Sequence, residues 1–336
     1  MSKETLKPAF NCVLASVYNT LADVHGLRFA PEAVFMAPNY FELGHFDGKL
    51  VGLHPEGAAR QFLTRIGTDM AFPAMDGREG AVAFAKRFVR EQGVLPAAIN
   101  LRYSVLDPTN FDNDYWNFQL IVDWAEDRFV MYDQYHGELY KVEDSYLGQM
   151  IDTAFNYRQQ GRFTPFLVIP VADPQEAQAA LDRDHLPALA LAAIRAYDPQ
   201  ISLRVGRAFA ARMQELYLEP APGMNLHDEI YKIMGHQILI TKSRQQFAEW
   251  AGQAGLKPDA LEALQSLVAR WDLVNMMVPM TVGRRSAAEY ERLLEEYEKL
   301  ISLEATVLEQ VGAELEIRLA EQAQQHSEPQ PAPHGR

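Results

Sequence analysis

The sequence predicts an α+β fold in the first half of the chain and an all-α domain in the second half. In the first half, helical patterns alternate with apolar β-type runs at residues 97–105, 117–124, 129–133 and 164–171. After Pro174 the composition changes: Ala, Leu, Glu and Gln dominate, and proline and glycine are confined to a few breaks. A chain of 336 residues also exceeds what a single hydrophobic core usually holds.

We therefore divide the chain into an α+β domain over residues 1–172, a helical domain over 173–320 and a tail over 321–336. The tail is polar and rich in proline, so we expect it to be disordered. The helical domain contains five patterns with helical spacing, at residues 175–197, 203–218, 227–252, 259–278 and 287–320.

The elements of the first half follow from local patterns. Apolar positions 14, 17, 18 and 21 repeat at helical spacing and predict a helix that begins near Cys12. Shorter helical patterns cover 32–36, 56–66 and 80–92, and a Gly-rich aromatic stretch at 39–48 predicts a loop or hairpin. The runs 118–122 and 128–132, joined across 124–127, predict a β-hairpin.

Composition and charge exclude several classes of function. The formal net charge of −14, without a long Lys/Arg cluster, argues against a nucleic-acid partner. The sequence contains no run of eighteen apolar residues, so we expect no membrane span. We expect a cytoplasmic protein, because residues 1–8 lack the apolar stretch of a signal peptide and the chain has one cysteine. Neither zinc-ligand spacing nor a nucleotide-binding glycine motif occurs, so we expect neither a metal nor a cofactor.

Cys12 is the only cysteine and cannot form an internal disulfide. It lies in the first turn of the predicted helix, where free backbone N–H groups and the helix dipole stabilise a thiolate. These observations make Cys12 a candidate nucleophile. The alternatives are a small buried hydrophobic residue and an accidental surface thiol.

A nucleophilic thiol needs a base that takes its proton and a group that orients the base. In papain-like enzymes the cysteine begins a helix, a histidine begins a later strand, and Asp or Asn follows on the neighbouring strand. Asp133 ends the run 129–132 and fits the last position, but Asn117 occupies the position of the base. An asparagine amide cannot accept a proton at neutral pH. Asp133 could alternatively bind only backbone N–H groups of a hairpin turn, and Asn117 could be an ordinary strand-start residue.

The stretch from Asn11 to about Tyr40 and the hairpin region 114–147 resemble the N-terminal domain of butirosin biosynthesis protein H. That family has a papain-like cysteine-enzyme fold, which is similar to the bacteriocin-processing double-glycine peptidases. The segment 241–248, followed by the helix that contains Trp271, resembles the helical C-terminal domain of the same family. The resemblance implies an acyltransferase of natural-product biosynthesis, of the nonribosomal peptide type. Such an enzyme moves an acyl or aminoacyl group from a carrier-protein thioester to an amine.

Carried over by this resemblance, Cys12 matches the nucleophile and Asp133 the orienting acid, while Asn117 stands where the family has histidine. Asp123 and Trp124 replace a usual Gly-Tyr turn. The implied partners are an acyl or peptidyl carrier protein bearing phosphopantetheine and a small-molecule amine acceptor.

Three interpretations of Asn117 remain open. Cys12 could be ionised enough without a base. Thioester exchange is also less demanding than amide cleavage, because the leaving thiolate needs no protonation. Another histidine could enter the site: His45, His54 or His136. The third interpretation is a non-catalytic homologue that acts as a binding or scaffolding protein. A protease of this fold is disfavoured, because the leaving amine needs a proton donor that Asn117 cannot supply.

Overall fold

The computed structural model describes residues 11–36, 40–46, 49–52, 55–106, 116–152, 158–159, 162–183 and 185–327. The chain forms two compact units that mix helix and sheet, in agreement with the predicted α+β class. The first, here the α+β unit, comprises Met1–Phe35 and Pro55–Asp184, and the second, here the helical unit, comprises Met36–His54 and His185–Arg336. Residues 36–54 thus group with helices that follow them by more than a hundred positions, an association absent from the sequence-based division.

Helices dominate both units. Those of the α+β unit are α1 (Cys12–Asp23), α2 (Glu32–Phe35), α3 (Pro55–Arg65), α4 (Gly77–Gln92), α5 (Asp144–Asp152) and α6 (Pro174–Arg183). Those of the helical unit are α7 (Leu186–Ala196), α8 (Pro199–Tyr217), α9 (Leu226–Gln253), α10 (Pro258–Arg284) and α11 (Ala287–Ser327).

All strand pairs in the described part of the chain are antiparallel. A hairpin of β1 (Gly44–Phe46) and β2 (Lys49–Val51) belongs to the helical unit. The α+β unit contains a four-stranded sheet and a small hairpin. The sheet has the order β3 (Leu95–Asn100), β4 (Trp116–Ala125), β5 (Arg128–Asp133) and β6 (Glu138–Glu143), and the hairpin joins β7 (Arg158–Gln159) to β8 (Arg162–Phe163).

The predicted β4–β5 hairpin is confirmed. Its turn residues Glu126 and Asp127 have φ angles of 56° and 58°, as a tight hairpin turn with right-handed strand twist requires. The structure adds β6, which the sequence analysis did not predict, because only Tyr140 and Val142 on that strand are buried and its other positions are polar or exposed.

Both faces of the four-stranded sheet are covered. Ile121 and Met131 lie in a core with Leu147 of α5 and residues of α4. Leu120 and Tyr132 face the opposite way and pack near the carboxyl end of α1. This alternation determines which side chains of β4 and β5 face α1 and which face α4 and α5.

The predicted strand at 164–171 is wrong. Among the described residues this segment forms only two isolated bridges, Ala97 to Phe166 and Ala71 to Val168. Pro165 and Pro170 lack the N–H groups that a continuous ladder needs, so pairing is interrupted on both sides.

Two helical predictions also differ from the structure. The pattern at 175–197 is two helices, because α6 ends at Arg183 and α7 begins at Leu186 with Pro187 in its first turn, where proline is favoured. Helix α11 continues to Ser327, past the predicted start of the tail at residue 321. The remaining tail positions, 328–336, lie outside the described residues.

A buried ion pair lies at the centre of the helical unit. Arg244 of α9 donates from Nε to Glu304 of α11 at 2.8 Å, and the two side chains are 1% and 0% exposed. The indole N–H of Trp271 on α10 donates to the same carboxylate at 3.2 Å. Arg244 also donates to the carbonyl of Phe41 at 2.7 Å, which attaches the segment before β1 to the helices. The motif at 241–248 and Trp271 therefore meet at one charge pair.

We predict that Arg244→Met lowers the free energy of unfolding of the helical unit by about 3–5 kcal/mol, because Glu304 would stay buried without its cation. The matched control is Arg207→Met. Arg207 pairs with Glu298 at 2.7 Å, but the side chains are 60% and 38% exposed, so its loss should cost at most about 1 kcal/mol. Urea unfolding followed by circular dichroism measures both. Equal urea midpoints for the two variants would contradict the assigned role of the buried pair.

Candidate functional site around Cys12

Helix α1 begins at Cys12, as predicted. The side chain of Asn11 caps the helix by accepting hydrogen bonds from the N–H groups of Val13 at 3.0 Å and Leu14 at 3.2 Å. The backbone N–H of Phe118, near the start of β4, also contacts the Cys12 sulphur. The fold therefore brings the start of α1 to the start of β4, the two segments that carry the predicted nucleophile and the predicted position of the base.

The thiol of Cys12 is less acidic than its position on the helix predicts. Burial raises its pKa from 9.0 to about 11, and the negative charge of Asp133 acts in the same direction. The N–H groups of Phe118, Cys12 and Val13 lower the pKa, but they do not offset the loss of solvation. The residue is partly exposed, but the raised pKa contradicts the expectation of a stabilised thiolate and favours a neutral thiol at neutral pH.

Gln134 makes the principal contact between α1 and the sheet. Its side-chain N–H₂ group lies 3.2 Å from the carbonyl of Cys12, 2.9 Å from Ser16 Oγ and 3.1 Å from the carbonyl of Phe118. Its carbonyl oxygen accepts a hydrogen bond from Asn19 at 3.1 Å. Gln134 is 1% exposed, so these bonds are made away from water and hold the first two turns of α1 on the sheet.

Asp133 is buried and its carboxylate is fully engaged. Oδ2 accepts from the side chain of Gln119 at 2.7 Å, and Oδ1 accepts from the backbone N–H groups of Tyr135 at 2.8 Å and His136 at 3.0 Å. Gln119 in turn accepts a hydrogen bond from the hydroxyl of Tyr140. Asp133 therefore binds the turn N–H groups that the alternative interpretation expects, and it also takes part in a side-chain network with Gln119 and Tyr140.

Asn117 precedes Phe118 in β4, and strand alternation gives it the same face of the sheet as Gln119 and Ile121. Ile121 lies in the core against α4 and α5, whereas Gln134 binds α1 on the other face. The side-chain oxygen of Asn117 is buried and has no hydrogen-bond partner. Asn117, Gln119 and Asp133 therefore form a polar row on the face away from α1.

His136 is the histidine nearest to these residues in the described chain. Its Nδ1 lies 3.2 Å from Asp133 Oδ2, and its side chain is 33% exposed. The pKa of Cys12 is set by burial, by backbone N–H groups and by the charge of Asp133. No histidine of the described residues contributes to it. The side chain of His45 and the whole of His54 lie outside the described residues.

The sequence analysis missed Gln119 and Gln134. A signal for the first was present, because Gln119 is a single polar residue inside the apolar run 118–122, and a buried amide of that kind needs a partner. Gln134 follows the candidate acid at a position where the sequence favours a turn. Its partners on α1 are 115 to 122 positions away in sequence, so no local pattern identifies them.

The described residues contain no cluster of three or more His, Cys, Asp or Glu side chains arranged to hold a metal ion. Across the same residues, every helix is too short or too polar to span a membrane.

The sequence matches no family model, and a search of curated proteins found no match.

We predict that Gln134→Met lowers the free energy of unfolding of the α+β unit by about 2–4 kcal/mol, because several buried polar groups lose their partner at once. The control is Gln178→Met, which also removes bonds to backbone groups, those of Arg28 at 2.8 and 2.9 Å, but at an exposed position. Its cost should stay below about 1 kcal/mol, since water replaces the lost partner. Chemical unfolding measures the free energy of unfolding of both variants. A smaller loss in Gln134→Met than in Gln178→Met would refute the role of the buried amide.

We predict that folded Cys12 reacts with iodoacetamide about a hundredfold more slowly at neutral pH than the same thiol in urea, because its pKa is raised from 9.0 to about 11. Intact-protein mass spectrometry measures the rates, and the single thiol makes the assignment unambiguous. The raised pKa favours the neutral form in the folded state, so the free energy of unfolding should fall between pH 9.0 and about 11. A labelling plateau below pH 9 would contradict the neutral thiol and favour a primed nucleophile.

Proposed function

We propose that this chain is a butirosin H-like protein of a cytoplasmic carrier-protein pathway in natural-product biosynthesis. It binds the carrier protein of that pathway and does not catalyse acyl transfer. The observation that carries the proposal is the combination at Cys12: the position of the base holds Asn117, and the thiol is held neutral by burial. An absent general base usually costs a factor of about 10²–10⁴ in rate.

The architecture of the α+β unit supports the papain-like part of the proposal. A helix that begins with cysteine packs on one face of an antiparallel sheet, and the strand and hairpin that follow carry the positions of base and acid. The hydrogen bonds at these positions support the non-catalytic part. Gln134 faces the helix, while Asp133 bonds to Gln119 and to turn N–H groups.

The helical unit offers a surface for a protein partner, which we call the α9–α10 apolar face. Helices α9 and α10 pack side by side as an antiparallel pair with a short connection. The face comprises two exposed apolar stripes, one on each helix, whose members are 42–56% exposed and follow helical spacing: Tyr231 and Ile238 on α9, and Leu273, Met276 and Met280 on α10. Exposed apolar groups of this kind mark interaction surfaces, and methionine adapts to varied partners. We assign this face to the carrier protein that bears phosphopantetheine.

The second candidate function is acyl transfer through a Cys12 thioester onto a small-molecule amine. The contact between His136 and Asp133 favours it, because a carboxylate-bound imidazole is the usual general base for a thiol. In that case His136 would take the role that the family gives to the residue at position 117.

We expect no covalent adduct on Cys12 after incubation with octanoyl-N-acetylcysteamine, a small thioester, and no amide product when butylamine is added. The reason is that a neutral thiol without a base attacks thioesters slowly. Intact mass spectrometry and product chromatography read the two results, with Cys12→Ala as the matched control. An adduct and an amide product that both disappear in Cys12→Ala and His136→Gln would establish the acyltransferase instead.

A separate experiment tests the proposed binding by measuring the affinity of the protein for immobilised phosphopantetheinylated carrier proteins. Wild type and Cys12→Ala should bind equally, whereas Met276→Glu should bind at least about tenfold more weakly, since it places a charge in an apolar contact. Gln265→Glu adds the same charge at an exposed position of α10 eleven residues before Met276, about 16 Å along the helix from it, and should bind normally. Equal binding by Met276→Glu and Gln265→Glu would exclude this face.

A further inference from the structure

The α+β unit contains a pocket of about 410 Å³ that the site around Cys12 does not use. It lies between the carboxyl end of α1, the last turns of α4 and the segment 168–171. Its walls are apolar and partly aromatic; they include Phe84, Phe88, Val24, Val168, Ile169 and Val171. Polar side chains also line the pocket: Thr20, His25, Arg87, Glu91 and Gln92. A volume of this size, with apolar walls and polar groups that can fix an orientation, is typical of small-molecule sites.

Thr20 supplies a polar group in the interior of the pocket. The residue is 2% exposed, yet its hydroxyl oxygen is buried and has no hydrogen-bond partner. An unsatisfied buried hydroxyl costs about 1–3 kcal/mol, so it marks a place where a ligand could supply the missing bond. Since Thr20 lines the pocket, such a ligand would enter from there.

Two opposite charges lie at the exposed side of the pocket. Arg87 and Glu91 both line it, are exposed and are one turn apart on α4. In the described part of the chain neither forms an ion pair, whereas Arg78 and Lys86 on the same helix pair with Asp152 and Asp144. Arginine ahead of glutamate at this spacing is also the weaker orientation for mutual pairing.

We propose that this pocket binds a free aromatic α-amino acid that carries a hydrogen-bonding group at the tip of its ring, with tyrosine as the prototype. The carboxylate would pair with Arg87 and the ammonium group with Glu91. The ligand ring would pack against the surface formed by Phe84 and Phe88, whose own rings contact each other with centroids 5.6 Å apart, and its phenol would form a hydrogen bond with the hydroxyl of Thr20. The pocket has exposed charges, aromatic walls and a buried hydroxyl. Tyrosine has the matching groups: a charged amino-acid end, an aromatic ring and a phenol.

This site is separate from the one around Cys12. Thr20 is eight residues along α1 from Cys12, which corresponds to about 12 Å of helix. A tyrosine bound at Thr20 would not touch the thiol, so this inference does not depend on the proposed function.

The test uses ligand-observed NMR and calorimetry on the full chain with four probes. L-Tyrosine should bind. L-Phenylalanine, which lacks the phenol, tyramine, which lacks the carboxylate, and 3-(4-hydroxyphenyl)propionate, which lacks the ammonium group, should each bind at least about tenfold more weakly. Absence of tyrosine binding, or an analogue that binds as tightly as tyrosine, would overturn the assignment.

Variants assign the contacts. Arg87→Gln should weaken tyrosine binding at least about tenfold, whereas Arg90→Gln should not. Arg90 is a suitable control because it is exposed on the same helix and stacks 4.2 Å from the Trp124 ring, outside the pocket. Thr20→Val keeps the shape of the side chain and should make the affinities for tyrosine and phenylalanine equal. Equal losses in Arg87→Gln and Arg90→Gln, or unchanged discrimination in Thr20→Val, would reject the site.

Discussion

The side-chain amide of Gln134 determines the arrangement of the α+β unit around Cys12. Its N–H₂ group approaches the carbonyls of Cys12 and Phe118 and the hydroxyl of Ser16, so one buried residue holds the first turns of α1 against the start of β4. Because neighbouring residues at a strand end face opposite sides, the carboxylate of Asp133 lies on the other side and bonds away from the helix. The contact that assembles the two segments therefore leaves the acid, like Asn117 at the position of the base, on the face of the sheet away from α1.

Cys12 illustrates how two electrostatic effects compete at a helix start. The positive end of the helix and nearby N–H groups favour a thiolate, and such effects are typically worth about 0.3–1 kcal/mol. Removal of solvent opposes them and, together with the charge of Asp133, raises the pKa to about 11. A position on a helix therefore does not predict reactivity unless the solvation of the sulphur is also known.

The helical unit depends on a different buried polar contact. Arg244 and Glu304 join α9 to α11, Trp271 adds α10, and the carbonyl of Phe41 attaches a segment from far earlier in the chain. A buried charge pair of this kind contributes little net free energy but is costly to break, so it favours one arrangement of helices over alternatives. The sequence motif at 241–248 thus has a structural role.

The sequence alone determined the α+β class, the helix that begins at Cys12, the β4–β5 hairpin and the position of most helices of the second half. These features depend on residues close together in the chain: periodic apolar positions, caps and turn residues. Only the tertiary structure decided that residues 36–54 group with the helical unit, that prolines reduce 164–171 to isolated bridges, and that Gln134 rather than a base faces α1. These outcomes depend on partners about seventy or more positions apart and on burial, which local patterns do not encode.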